Sequence, residues 1–157
     1  MVTAVRSRSA PVPSGTIELL SRSDAELVAA QLAPHAADQF LHAHLSALRA
    51  AAALLQATGR PVRRPAPRTA WEMVALVAPE LAEWTAFFAS GAAARSAVEA
   101  GRGDVVDAAR AERTLAAAED FQDAVRAALD GLSAGDTHTG RAGWIGRPAS
   151  SLALRAS

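Results

Sequence analysis

The feature that most constrains this chain is the run from Trp71 to Phe88. Within it Val74, Val77, Leu81, Trp84 and Phe88 step by 3, 4, 3 and 4 residues. That period places large apolar side chains along one helical face, whereas a half-buried strand alternates every second residue. Trp71, Trp84, Phe87 and Phe88 also make this run the richest in rings. Rings dominate core energetics, so the run locates the anchor of a core. Thr69 and Glu72 stand before it at the spacing of a capping box. Pro79 interrupts the seam without changing its phase. A proline inside a helix removes a hydrogen bond and costs about 3 kcal/mol. Residues 69–89 are therefore either one kinked helix or two nearly collinear helices, with weaker helix expected on to about Ala100.

Two more stripes share this period. Leu41, Leu45, Leu48, Ala52 and Leu55 form one, with Pro34 suited to the helix start and Gly59 to its C-terminal cap. Leu115, Ala118, Phe121, Val125, Ala128 and Leu132 form the other, with Gly131 and Gly135 expected to end it. A further helix is expected from Thr16 to about Leu32, interrupted near Ser21 to Ser23. Residues 1–15, with Pro11, Pro13 and Gly15, read as a disordered arm. Residues 133–157, rich in Gly, Ser and Thr, read as a flexible tail. The expected folded unit spans 16–132: an all-α, up-and-down bundle of four or five helices.

Composition supports helices. Half of the residues are apolar, and most of those are alanine, the best helix former. The formal net charge is zero, so the chain as a whole exerts no pull on nucleic acid or anionic membrane. Every fixed positive charge is arginine, and Lys, Asn, Tyr and Cys are absent. Those omissions match the codon bias of a GC-rich genome, which accounts for arginine without phosphate recognition. Without cysteine the chain has no disulfide and no thiolate ligand. No apolar run reaches the roughly 18 residues of a membrane span. Arg6 and Arg8 are not followed by a signal-like apolar stretch. A cytoplasmic location, no membrane partner and no cofactor are expected.

Few residues are arranged for chemistry. Arg60, Arg63, Arg64 and Arg68 put four positive charges into nine residues without an acid, in a proline-rich extended segment. They are the foremost candidates for contact with phosphate or RNA. The segment has no interleaved aromatic, which disfavours base stacking there. His42, His44 and Arg49 form a second candidate polar site. His44 lies on the apolar side of its helix and suits a hydrogen-bonded core histidine better than a base. His42 can pair with Asp38 one turn away, and Arg49 with an acid of a neighbouring helix such as Glu80 or Glu119. His35, Asp38 and His42 share a face, but metal sites take three or four ligands and no fourth is evident. Glu112, Glu119, Asp120 and Asp123 read as a solvent-facing or partner-facing stripe. No phosphate-binding loop, nucleophile elbow, zinc-protease motif or dinucleotide fingerprint is present.

The order and spacing of several blocks resemble a small actinobacterial family of HEPN proteins (higher eukaryotes and prokaryotes nucleotide-binding domain). The blocks are His44-Leu45-Ser46-Ala47-Leu48-Arg49 with the alanines after it, the Pro/Arg loop, Trp71-Glu72, Ala78-Pro79-Glu80-Leu81-Ala82-Glu83-Trp84, Phe87-Phe88, and Ala118-Glu119-Asp120-Phe121. The resemblance covers about residues 16–132. It implies a helical bundle, often dimeric, in a superfamily tied to RNA cleavage, RNA binding or nucleotide-linked toxin–antitoxin systems. The superfamily's ribonuclease motif is an arginine followed four to six residues later by histidine. None of His35, His42, His44 and His138 has an arginine at that distance before it, and Arg102, Arg110 and Arg113 near the last bundle helix lack the histidine. The expected function is a non-catalytic HEPN-like module, a homodimer that binds RNA, a nucleotide or a protein partner. The alternatives are a divergent ribonuclease using His42 or His44 near Arg49, and a purely structural helical adaptor.

Overall fold

The computed structural model describes residues 12–59 and 69–145, with backbone alone for 136–145. Among the described residues it is all-α. The helices are α1 (Ser14–Leu32), α2 (Ala36–Thr58), α3 (Ala70–Val77), α4 (Ala82–Ser90), α5 (Ala92–Glu99) and α6 (Ala108–Ile145), with short 3-10 turns at Pro79–Leu81 and Gly103–Val105. The central element is α2, which packs along α1 and α6 and also meets α3 and α5.

The punctuation follows local chemistry. The capping box forms as expected: the Glu72 backbone N–H donates to Thr69 Oγ1 at 3.1 Å, and the Thr69 N–H donates to Glu72 Oε2 at 3.3 Å. Gly59 closes α2 at φ 81°, a conformation that a side chain would strain. Pro79 resolves into a break. It begins a 3-10 turn that leads into α4, so its missing N–H falls where no helical partner is needed. A second break at Gly91 separates α4 from α5. Pro34 acts before its expected position. It holds Ala33 extended, which ends α1, and α2 starts at Ala36.

Other expectations shift. No interruption occurs at Ser21 to Ser23, because Ser23 is buried in the α1–α2 contact. Its hydroxyl donates to the Ser46 carbonyl at 2.8 Å, and the Ser46 hydroxyl donates to the Ser23 carbonyl at 2.9 Å. From α6, Gln122 Nε2 donates to Ser23 Oγ and Asp24 Oδ1, and Arg126 donates to both Asp24 oxygens at 2.7 and 2.8 Å. Gly131 and Gly135 do not end α6. Neither has a positive φ, and the helix runs to Ile145. Residues 1–11 and 146–157, parts of the expected arm and tail, lie outside the described residues.

The buried face of α2 is rotated from the leucine stripe. Leu41, Leu45, Leu48 and Ala52 are only partly buried, whereas Phe40, Ala43, His44, Ala47, Ala50, Ala51 and Leu54 are fully enclosed. A helix covered on two sides buries its small residues at the points of closest approach, which leaves its leucines to seal the flanks. Val74, Leu81, Phe88, Ala118, Phe121 and Val125 are buried as their stepping predicts, and Trp84 partly so. Trp71 belongs to this core as well: its ring stacks on Phe88 at 5.3 Å. Phe121→Ala is expected to cost about 3–5 kcal/mol in urea unfolding. Leu132→Ala, at a position 47% exposed, is expected to cost at most about 0.5 kcal/mol. Similar losses for both would contradict this placement of the core.

Candidate functional site

Among the described residues, His42, His44 and Arg49 do not form one site. Arg60, Arg63, Arg64 and Arg68 lie outside the described residues. His42 pairs with Glu26 of α1 at 2.7 Å rather than with Asp38. Arg49 makes no hydrogen bond or ion pair with another described residue, and Glu119 accepts from Gln31 at 2.9 Å instead. Among the described residues no three His, Asp or Glu side chains converge to hold a metal ion.

His44 turns inward, away from His42. It is 1% exposed and sits among rings, with centroids 6.0 Å from Phe40, 5.8 Å from Trp71 and 5.7 Å from Phe88. Nε2 lies 3.0 Å from the Phe88 carbonyl oxygen. A carbonyl only accepts, so Nε2 carries the proton and Nδ1 is a bare acceptor. Nδ1 is buried without a hydrogen-bond partner among the described residues. The ring also explains Gly91. A Cβ there would stand 3.3 Å from His44 Cδ2 and 3.4 Å from Nε2.

Burial drives the His44 pKa below its ordinary 6.5; the hydrogen bond with the Phe88 carbonyl, next in size, raises it, while Arg95 adds to the lowering and Glu99 opposes it. The neutral ring is the folded form.

Beside His44 opens a cavity of about 100 Å³ that the sequence did not disclose. Phe40 and His44 from α2 form one wall. Phe87, Phe88, Ser90 and Gly91 at the end of α4 form the second, and Arg110, Arg113 and Thr114 from the start of α6 the third. The Arg110 guanidinium lies over the Phe40 ring, 5.5 Å from its centroid. Neither arginine forms an ion pair with a described residue, and no carboxylate lines the cavity. Asp107, the nearest acid in sequence, accepts from the Arg110 backbone N–H at 2.7 Å, the N-cap contact of α6. The hydroxyl of Ser90 donates to the Phe87 carbonyl at 2.6 Å, and that of Thr114 to the Arg110 carbonyl at 2.8 Å. Toward the cavity these oxygens can offer only lone pairs. The site thus combines an aromatic wall, two cations free of acid partners and a few acceptors.

The missed contributors are Phe87, Arg110 and Arg113. The one signal in the sequence was the arginine pair opening the last helix. Nothing in the spacing joined it to His44, 66 and 69 positions earlier.

The fold defines a helical-bundle protein with a cationic cleft between its second, fourth and last helices. The family model described as SAV_6107-like HEPN matches residues 30–126. That is more than half of the chain, and it spans every residue lining the cleft. The chain belongs to this HEPN family. No curated protein and no solved structure matches it. Among the described residues no helix is long and apolar enough to cross a membrane.

A histidine whose folded pKa is lowered binds fewer protons folded than unfolded below pH 6.5. Its stabilising contribution is therefore complete above that pH and lost as acid drives the ring to protonate. Stability in urea is expected to fall between about pH 6.5 and 5. His44→Gln keeps a donor for the Phe88 carbonyl but cannot titrate. Its stability curve is expected to be flatter over this range, and an equal slope in both proteins would contradict the assignment.

Proposed function

We propose that this HEPN-family protein is a non-catalytic module that binds RNA or a nucleotide through phosphate. The observation that carries this reading is the pair Arg110 and Arg113, which line an aromatic cavity with no carboxylate among the lining residues. Partnered arginines are neutralised locally. Two without an acid, in a partly desolvated recess, hold an uncompensated positive field that favours an anion. Arginine's planar fork suits phosphate oxygens. The Arg60, Arg63, Arg64 and Arg68 segment adds charge to the same kind of contact in this reading.

Two features support binding over cleavage. A general acid or base needs a ring nitrogen within reach of the ribose hydroxyl or the leaving group. The Nε2 proton of His44 is held by the Phe88 carbonyl, and Nδ1 is sealed in the protein. His42 is engaged by Glu26. The module acts as a homodimer in this account. Its α1 carries Ile17, Val28 and Leu32 on an outward stripe, and such a stripe is better covered than left in water.

The test is the affinity for single-stranded RNA as a function of salt. Binding is expected to weaken as salt rises. Arg113→Ala should reduce the slope of log affinity against log salt by about 0.7, the value for one phosphate contact on a single strand. Replacing all four loop arginines should reduce it further, and the RNA should stay intact. Absence of binding at low salt, or cleavage abolished by His44→Gln, would overturn the reading.

A further inference from the structure

The cleft has a hydroxyl of its own beside its two cations. We propose that Ser90 is a phosphorylation site, whose phosphoryl group fills the recess against Arg110 and Arg113 and shuts the cleft to outside phosphate. The shutting rests on the phosphate-binding reading above; the site itself stands apart from it.

Placement comes first. Ser90 is exposed and is the last residue of α4, one position before the break at Gly91. It lines the same cavity as Arg110 and Arg113. So small a recess brings its lining side chains within reach of one guest group. Its proton lies on the Phe87 carbonyl, so its lone pairs face the recess. Thr114, the other hydroxyl in the lining, is 2% exposed. A modifying enzyme does not reach it, which leaves Ser90.

Size and charge come second. A recess of about 100 Å³ has the room of about three waters at ~30 Å³ each. A phosphoryl group brings three terminal oxygens and nearly two negative charges. Neither arginine forms an ion pair with a described residue. A phosphoserine set opposite such cations gains about one to three charge-assisted hydrogen bonds.

Two local effects oppose the modification. Ser90 gives up its bond to the Phe87 carbonyl, and the carbonyl end of a helix disfavours negative charge. The second effect is offset here. Gly91 caps the start of α5, so the N–H end of one helix follows the carbonyl end of the other at once. The arginines then decide the sign. The step itself needs a separate protein kinase and its nucleoside triphosphate. Ser90 Oγ attacks the γ-phosphorus and an O–P bond forms. The bond from that phosphorus to the β,γ-bridging oxygen breaks, nucleoside diphosphate leaves, and the hydroxyl proton passes to the kinase's base. Hydrolysis by a phosphatase restores the open cleft.

The experiment compares three forms of the whole protein: unmodified, with phosphoserine encoded at Ser90, and with phosphoserine encoded at Ser96, an exposed residue of α5 outside the cleft lining. Phosphorus NMR follows the second ionisation of each phosphate, ordinarily at about pH 6. At Ser90 it is expected clearly below its value at Ser96, and Arg113→Ala should close part of that gap. Arg113 is exposed, and circular dichroism checks that the variant folds. Single-stranded RNA should bind the Ser90-phosphorylated form about tenfold more weakly than the Ser96-phosphorylated one, the loss of one charge-assisted contact. Phosphopeptide mapping of the protein from growing and starved cells should find phosphate on Ser90. Equal ionisation at the two positions, or no phosphate on Ser90 in cells, would overturn the site. RNA binding alike in the two phosphorylated forms would overturn the shutting of the cleft. A lowered ionisation at Ser90 in a protein that binds no RNA in any form would support the site and overturn the phosphate-binding reading instead.

Discussion

The hydrogen bond from His44 Nε2 to the Phe88 carbonyl is the contact on which the site depends. It joins the middle of α2 to the end of α4 across 44 positions of sequence, inside a cluster of rings. An imidazole buried among Phe40, Trp71 and Phe88 must have a polar partner, because an unmet donor there costs on the order of 1–3 kcal/mol. The Phe88 carbonyl, near the end of α4, meets that need. The missing Cβ of Gly91 lets the ring come close. This contact sits where α4 ends and α5 begins, at the floor of the cleft.

The electrostatics of the cleft follow from where the acids go. Asp24 is held by Arg126 and Gln122, Glu26 by His42, and Asp107 by the first turn of α6. These three carboxylates are engaged away from the cleft. Arg110 and Arg113 keep their charge facing the recess, although the chain carries no net charge. A neutral sequence can therefore hold a local positive field, and a count of charges does not reveal it. His44 stays neutral for a different reason: burial penalises its charged form, and the Arg95 charge adds to that.

The fold was legible wherever one helix meets its neighbours along a single face. Val74, Leu81 and Phe88, and likewise Ala118, Phe121 and Val125, stand buried on their expected stripes, and the Thr69–Glu72 box caps α3. The HEPN resemblance rested on these blocks and holds. Legibility failed where a residue is covered from two sides. The leucines of α2 gave the phase of its flank, because alanine carries too little hydropathy to mark the deeper face. The cleft was the least legible part. Its walls come from α2, α4 and α6, and periodicity within a helix holds no information about which helices share a corner. His44 as a hydrogen-bonded core histidine was read correctly, but its carbonyl partner could not be.

The most direct test of this account is a double-mutant cycle between Gly91 and His44. If the ring of His44 is what requires glycine at 91, Gly91→Ala should destabilise the protein by about 1–3 kcal/mol through overpacking. The same substitution should cost almost nothing once His44→Ala has removed the ring, which gives a coupling energy nearly equal to the first loss. An unchanged cost of Gly91→Ala in the His44→Ala background would contradict the account, since the two residues would then not meet at the floor of the cleft.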